Sequence, residues 1–369
     1  MNLDQCLSEM VEKKGSDLFV MVGVPPMMKV HGELEALGDE KLTAEETKRI
    51  VLSMMNEEQK IEFLAHKELN FAIASSESGR FRVSAFQQRS VIGAVLRRIE
   101  AIIPTIEALG APTILNELVL AQRGLIILVG ATGAGKSSTL AAMIGYRNRN
   151  TKGHIISIED PIEFVHAHQG CVVTQREVGI DTESFEVALK NTLRQAPDVI
   201  LIGEIRSRET MNYAVAFAET GHLCLATLHA NNANQALDRI ANFFPHEMQQ
   251  QLWLDLSLNL KAIIAQQLIP SKDGTARLPA VEILINTPVI SEHIRKGDVN
   301  SLKGFMTKSR ELGMQTFDQA LYQLYSEDKI TYEAALKHAD SENEVRLMIK
   351  LGKGKEGLPS ISGLSILKE

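Results

Sequence analysis

The segment 130–138 contains the residues that are best suited to chemistry. It reads GATGAGKSS and satisfies the pattern G-x-x-x-x-G-K-[ST], directly after an apolar run and before a helical pattern. Its glycines let backbone amides fold around phosphate oxygens, and a helix amino terminus adds positive charge. A glycine-rich turn that binds nothing is the alternative, which the lysine and the hydroxyl disfavour. The predicted nucleotide contacts are Gly130, Ala131, Thr132, Gly133, Ala134, Gly135, Lys136, Ser137 and Ser138.

Two of these residues and one acid predict hydrolysis with Mg²⁺. Lys136 is expected to reach the β- and γ-phosphates, and the Ser137 hydroxyl to ligate the metal. Glu204 follows the apolar run 199–202 and a glycine. Such a carboxylate at the carboxyl edge of a strand is well placed to hold the Mg²⁺ shell. The alternative for Glu204 is a solvated acid at a strand end.

Three more carboxylates follow the apolar run 155–158. They are Glu159, Asp160 and Glu163. Beside a nucleotide, they could ligate metal through water or orient the attacking water. Pro161 breaks the strand and would turn Glu163 back toward the site. A polar loop without a catalytic role is the alternative.

Histidines and arginines supply weaker signals. His222 and His229 flank the run 223–228, and His229 follows a strand end where doubly wound proteins place ligand contacts. Structural histidines are the alternative, and the spacing fits no common zinc pattern. Arg82 and Arg97 lie on separate predicted strands, and arginine offers a bidentate fork for phosphate. Their domain could therefore cover the nucleotide, although surface charge on an edge strand is the more ordinary interpretation.

Two patterns of elements must position these residues. The first hundred residues predict an α+β domain, with helices at 1–14 and 57–65 and another that begins at the capping box of Thr43 and Glu46. Its predicted strands are 17–21, 27–30, 68–74, 80–86 and 91–99. After residue 116, short apolar runs alternate with helices, which is typical of a parallel sheet covered on both faces. The runs are 125–129, 155–158, 199–202 and 223–227, and the helices are 137–147, 184–195 and 208–219.

The carboxyl-terminal third is predicted to be helical. A long amphipathic helix is expected over 247–268, and further helices over 288–296, 298–310, 316–326, 331–338 and 342–351. The glycine-containing segment 352–369 has little periodicity and is expected to be a mobile tail. The predicted organisation is a domain at 1–99, a linker or hinge at 100–116, an α/β core at 117–287, a helical subdomain at 288–351 and the tail.

Composition excludes several classes of protein. The net charge is 39 − 46 = −7 over 369 residues, which gives no general footprint for nucleic acid. No stretch approaches 18 consecutive apolar residues, so no membrane span is expected. The cysteines, at 6, 171 and 224, are too scattered for a disulfide framework or a metal knuckle, and a reducing cytoplasm is the expected compartment.

Four motifs in order resemble the secretion-type hexameric ATPases that drive type IV pili, specifically the PilT/PilU retraction branch. They are GATGAGKSS (130–138), SIEDPIEF (157–164), LRQAPDVILIGEIR (193–206) and TGHLCLATLHANNA (221–234). The resemblance extends to about residue 350. It implies an α/β fold in which a PAS-like α+β domain precedes a RecA-like P-loop ATPase domain with C-terminal helices.

The resemblance also implies roles and partners. It assigns phosphate and Mg²⁺ binding to Lys136, Ser137 and Ser138, metal binding to Glu204 and general-base action to Glu163. His222 and His229 become sensors of the γ-phosphate or coupling residues, and Arg82 and Arg97 match arginines presented to the nucleotide. ATP and Mg²⁺ are the implied cofactors. A hexamer that acts on an inner-membrane platform protein is implied, with peripheral recruitment to that membrane.

Two departures point to an accessory motor of the branch. PilT-like proteins carry an acidic residue where this chain has Ala196, and the retraction-associated element is weakly represented at 291–297. An accessory motor is implied to work with a PilT-like partner. A nucleotide-gated scaffold for a partner ring, a pilus-extension or type II secretion ATPase and a DNA-handling ATPase remain as alternatives. The tetracysteine zinc motif usual in extension and type II relatives is missing, and the acidic balance disfavours DNA.

Overall fold

The computed structural model describes residues 2–30, 32–75, 77–99 and 102–355, with the side chains of 352–355 excepted. The chain forms two compact units. The first comprises the described residues up to Ile103 together with Pro161–His166 and Gly179–Asp181, and the second comprises the rest. Each unit has its own sheet.

The first unit contains a six-stranded antiparallel sheet in the order β3-β2-β1-β6-β5-β4. One face packs its apolar residues against three helices, as the alternating patterns predict. The capping box at Thr43 and Glu46 is confirmed. Strand β3 was not predicted; its four residues alternate acidic and apolar side chains, but the run is short and all four side chains are exposed. The elements are α1 Leu3–Glu12, β1 Asp17–Val20, β2 Met27–Val30, β3 Glu33–Ala36, α2 Ala44–Ser53, α3 Glu57–His66, β4 Glu68–Ser75, β5 Gly79–Gln88 and β6 Val91–Arg98.

The second unit contains a seven-stranded sheet in the order β13-β12-β7-β11-β10-β8-β9. Six strands are parallel and β13 is antiparallel at one edge. Two apolar clusters cover its two faces, which explains the continuous apolar runs. The strands are β7 Gly124–Val129, β8 Gly153–Glu159, β9 Cys171–Glu177, β10 Val199–Ile202, β11 Leu223–Leu228, β12 Leu260–Pro270 and β13 Arg277–Ile285. The helices before β13 are α4 Ile114–Val119, α5 Lys136–Asn150, α6 Phe185–Thr192, α7 Arg208–Glu219, α8 Ala233–Asn242 and α9 His246–Asn259.

The predicted helix over 247–268 is wrong in its second half. Helix α9 ends at Asn259, and strand β12 begins at the next residue and pairs in parallel with β7. The apolar spacing continues across this junction. Residues 262–266 are all buried, however, and a short apolar run buried on every side fits a strand as well as a helix. Strand β9 at the opposite edge of the sheet was also missed.

The helices predicted after residue 288 are confirmed. They are α10 Pro288–Arg295, α11 Leu302–Lys308, α12 Phe317–Ser326, α13 Tyr332–Lys337 and α14 Glu342–Lys355. Because α14 continues to Lys355, the tail predicted from residue 352 begins too early, and its remainder, 356–369, lies outside the described residues. Within the described part of the chain, no helix is both long and apolar enough to cross a bilayer.

Arg147 is buried, although it belongs to a run of basic residues at the end of α5 that also includes Arg149 and Lys152. Basic residues at a helix carboxyl terminus are ordinarily solvated, where they oppose the helix dipole. Nη1 of Arg147 donates to the carbonyl oxygens of Val119 at 2.6 Å and Ala121 at 2.7 Å, which joins α5 to the end of α4. Burial lowers the pKa of this guanidinium. Arg147 therefore fastens two helices of the second unit.

Replacing Arg147 with alanine is expected to destabilise the second unit by about 3 kcal/mol, because two charge-assisted hydrogen bonds are lost and two carbonyls lose their partner. The matched control is Arg149→Ala, at an exposed position two residues away. The single tryptophan, Trp253, packs against a core cluster of the second unit and reports its urea unfolding by fluorescence. Equal unfolding free energies for the two variants would contradict this role.

Candidate active site

The parallel sheet of the second unit brings four strand ends to one edge. The phosphate-binding loop follows β7, Asp160 follows β8, Glu204 follows β10 and His229 follows β11. Since these strands are neighbours and run in the same direction, their carboxyl ends meet. The sequence-based expectation for these four positions agrees with the strand order.

The loop is shaped by glycines and covered by its own lysine. Gly133 and Gly135 have φ values of +78° and +85°, which favour glycine. Lys136 begins α5, and its ammonium donates to the carbonyl oxygens of Gly130 at 2.7 Å and Ala131 at 3.1 Å. Positive charge therefore lies over the loop, and the amino terminus of α5 adds to it. Ser137 and Ser138 lie in the first turn of this helix.

A charged network joins the strand ends beside the loop. Arg206 contacts Oε2 of Glu204 with Nη2 at 2.7 Å and Nε at 2.8 Å, and Asp160 with Nη1 at 3.4 Å. Nε2 of His229 lies 3.3 Å from Oε1 of Glu204. The hydrogen bond to Glu204 raises the pKa of Arg206. The side chain of Glu204 is therefore mostly covered, and the network through Arg206 and His229 links three strand ends.

Arg206 was missed as a site residue, although a signal was present. In an extended chain, residues i and i+2 point to the same side. The spacing of Glu204 and Arg206 therefore places their side chains together as soon as the strand β10 is recognised.

The two histidines lie at opposite ends of β11. A six-residue strand spans about 20 Å. His222 precedes the strand, and its Nδ1 lies 3.0 Å from Oγ1 of Thr220 and 3.3 Å from the carbonyl oxygen of Phe217. Within one chain, the structure thus brings His229 to the edge with the phosphate-binding loop and places His222 at the other edge.

The carboxylates of segment 157–164 have separate surroundings. Glu159 ends β8, and its Oε1 accepts from Oγ of Ser157 at 2.6 Å and from Nε2 of Gln175 at 3.1 Å. Asp160 belongs to the Arg206 network. Glu163 is exposed and lies in Pro161–His166, which clusters with the first unit.

Arg82 and Arg97 face each other across two strands of the first unit. They are directly paired on β5 and β6, so both lie on the same face of the sheet. Their neighbours Phe81, Val83 and Leu96 are buried on the other face, within the core. Asp17, opposite Arg97 on β1, accepts from Nε of Arg97 at 2.8 Å. Arg97 is therefore held in a defined orientation on the polar face.

The carboxylate of Glu282, on the edge strand β13, is buried. Oε1 of Glu282 on β13 accepts from the backbone N–H of Ala233 at 2.8 Å, and Phe317 supplies a second backbone hydrogen bond. These residues begin α8 and α12. Burial raises the pKa of Glu282 from its usual 4.5 to about 7. The charged neighbours Lys303 and Asp340 also act on it.

The stability of the second unit is expected to depend on pH through Glu282. Because the folded state raises this pKa, it binds more protons than the unfolded state between about pH 4.5 and 7. The contribution to stability is complete below pH 4.5 and falls by up to about 1.4 kcal/mol per pH unit as pH rises through 7. Glu282→Gln removes this slope. Urea unfolding of both proteins at several pH values isolates the contribution of Glu282, because Asp318 and Asp340 are present in both. Equal pH dependence of the unfolding free energy in the two proteins would contradict the prediction.

The family follows from comparison with known proteins. The family of type II/IV secretion system proteins matches residues 2–296, which is more than half of this chain. The chain belongs to this family. With the phosphate-binding loop and the acidic strand ends described above, this family member is an ATP hydrolase.

Relatives of the family resemble the chain over nearly its whole length. The type IV pilus ATPase PilU of Pseudomonas aeruginosa is 63% identical over 369 residues, which cover 99% of this chain and 97% of that protein. The retraction ATPase PilT of the same organism is 39% identical, with coverages of 92% and 98%. The crystal structure of the pilus retraction motor PilT with bound ADP matches with a TM-score of 0.88 at 38% identity, and covers 94% of this chain and 99% of that one. The fold is therefore the mixed α/β fold of these ATPases.

Proposed function

We propose that this ATPase powers retraction of type IV pili as an accessory motor beside a PilT-like ATPase. The observation that carries the proposal is the 63% identity to a PilU protein across nearly the full length of both chains. The site geometry agrees, since Lys136, Glu204 and His229 meet at one edge of the sheet. The divergent sequence of Ser291–Gly297, which overlaps α10, supports dependence on a partner.

Each residue of the candidate site has a proposed role in binding or hydrolysing ATP. The amides of loop 130–135 and the ammonium of Lys136 bind the phosphates, and Ser137 and Ser138 flank them. Glu163 is the proposed general base, and Arg82 and Arg97 are the proposed arginines that neutralise phosphate charge. His229 is proposed to sense the γ-phosphate through its contact with Glu204. His222, at the far end of β11, is proposed to act in coupling.

The residues present fit Mg²⁺. Ser137 and Glu204 offer hydroxyl and carboxylate oxygens, the ligand atoms that Mg²⁺ prefers. Glu159 and Asp160, at the carboxyl end of the neighbouring strand β8, are proposed to act through water. Mg²⁺ takes only one or two protein ligands beside nucleotide phosphates. Among the described residues, no group of three or more His, Cys, Asp or Glu could hold a metal ion by itself. When bound, Mg²⁺ neutralises charge on the β- and γ-phosphates.

The proposed assembly follows the relatives. A PAS-like first domain (1–99), a hinge (100–116), a RecA-like core (117–287) and a helical subdomain (288–351) are proposed to form a hexamer. The ring acts from the cytoplasm on a platform protein of the inner membrane, without nucleic acid. Domain closure during hydrolysis supplies the mechanical step.

The test is steady-state ATP hydrolysis by the purified protein, alone and mixed with a PilT-like ATPase whose own hydrolysis is disabled. Glu204→Ala is the control. Activity that rises with the partner and disappears in the control supports a dependent motor. Strong activity alone, with no response to the partner, contradicts the accessory role. If the hydrolysis-dead variant still restores pilus retraction in cells, a nucleotide-gated scaffold replaces the motor.

A further inference from the structure

Gln266 is a buried polar residue outside the sequence motifs. It lies on β12, one residue after Ala265, which pairs with Val129 at the end of β7. The side chain is therefore level with the start of the phosphate-binding loop. Only 4% of the residue is exposed. Its Nε2 donates to the carbonyl oxygen of Ala134 at 2.9 Å, and its Oε1 accepts from Oγ1 of Thr139 at 2.7 Å.

Gly130 and Gly135, at the two ends of the loop, both pack closely against Gln266. A Cβ atom at Gly130 would lie 2.6 Å from the backbone oxygen of Gln266, and one at Gly135 would lie 2.7 Å from its Nε2. The contact at Gly130 is with backbone, so no side chain fits there without moving β12. A side chain at Gly135 would displace the Gln266 amide from its hydrogen bonds, in addition to straining the positive φ of that residue.

The hydrogen bond to Ala134 also sets the direction of an amide. In a planar trans peptide, the carbonyl and the following N–H point in opposite directions. Because the Ala134 oxygen points to Gln266, the Gly135 N–H of the same peptide points away from β12. Amides of this loop are the groups that bind phosphate. The bond to Thr139 fixes the remaining orientation of the glutamine amide and ties it to α5.

We propose that Gln266 is a positioning residue for ATP hydrolysis, which holds the phosphate-binding loop in its binding conformation before the nucleotide arrives. It acts through Ala134 and Gly135. A loop without this support must be ordered when the nucleotide binds, and that cost appears as lost affinity.

The primary test is Gln266→Glu, which keeps the shape but replaces the amide donor with a carboxylate that faces the Ala134 oxygen. We expect the Kd for Mg²⁺–ADP and the KM for ATP to rise about tenfold, which corresponds to about 1.4 kcal/mol. The turnover number should change much less. Gln249→Glu is the matched control, because Nε2 of Gln249 also donates to backbone carbonyl oxygens, those of Ala241 at 3.1 Å and Phe244 at 3.3 Å, at the junction of α8 and α9.

Two more variants separate positioning from folding. Gln266→Met removes the donor without adding charge, and Thr139→Val removes only the second hydrogen bond. We expect nucleotide binding to be weakest in Gln266→Glu, stronger in Gln266→Met, stronger again in Thr139→Val and tightest in the wild type. Thermal unfolding is measured with and without Mg²⁺–ADP. A smaller nucleotide-induced rise in Tm for the two Gln266 variants supports the proposal. Wild-type Kd values in folded Gln266 variants, or a fall in turnover number with unchanged Kd and KM, would overturn it.

Discussion

Glu204→Gln is expected to lower the turnover number for ATP hydrolysis at least about 100-fold while the affinity for ADP stays within about threefold of wild type. Glutamine keeps the shape and can still contact Arg206 and His229. It removes the negative charge that these two residues share, and it replaces the carboxylate proposed for the metal. The nucleotide is held mainly by the loop 130–135 and Lys136, so binding should survive.

The experiment is steady-state phosphate release at saturating ATP, together with ADP titration. Glu186→Gln is the matched control, because Glu186 is an exposed acid on α6 that undergoes the same change. Turnover close to that of wild type in Glu204→Gln would mean that this carboxylate has no part in hydrolysis.

Lys136→Ala is expected to act on binding as well as on hydrolysis. The ammonium is the side-chain cation placed on the loop itself, where it contacts the carbonyl oxygens of Gly130 and Ala131. Its removal should raise the Kd for Mg²⁺–ADP and for a non-hydrolysable ATP analogue at least about 100-fold, or about 2.7 kcal/mol. Hydrolysis should be lost at ordinary ATP concentrations.

Calorimetric titration of the two nucleotides checks this expectation. Lys152→Ala, an exposed lysine just after α5, removes the same charge away from the loop and should bind as wild type does. A Lys136 variant with near-normal affinity would show that the loop binds without its lysine. Together with the Glu204 result, the two variants separate the group that holds the phosphates from the group that serves the reaction.

The strand ends of the site could be predicted because they depend on local patterns. The loop 130–138 and Glu204 each follow a short apolar run, and parallel strands necessarily bring such positions to one edge. The same reasoning identifies His229 and Asp160. It also separates the two histidines, since the length of β11 alone places His222 far from His229 within one chain.

The supports of the site could not be predicted, because they come from distant parts of the chain. Gln266 contacts a residue 132 positions away, and it lies in a strand whose apolar spacing continues that of the preceding helix. Arg147 resembles an ordinary basic residue at a helix end until the end of α4 packs beside it. The orientation of Arg97 likewise depends on Asp17, 80 residues earlier. Such contacts follow from the topology of the sheets and leave no local pattern.

The buried carboxylate of Glu282 has a mechanical consequence. Its side chain binds the first backbone N–H of α8, which begins four residues after His229, and the first backbone N–H of α12 in the helical region. Pulling either helix away would strand a buried amide, at a cost of about 1–3 kcal/mol. We therefore expect a shift of the His229 loop to move α8 and α12 together.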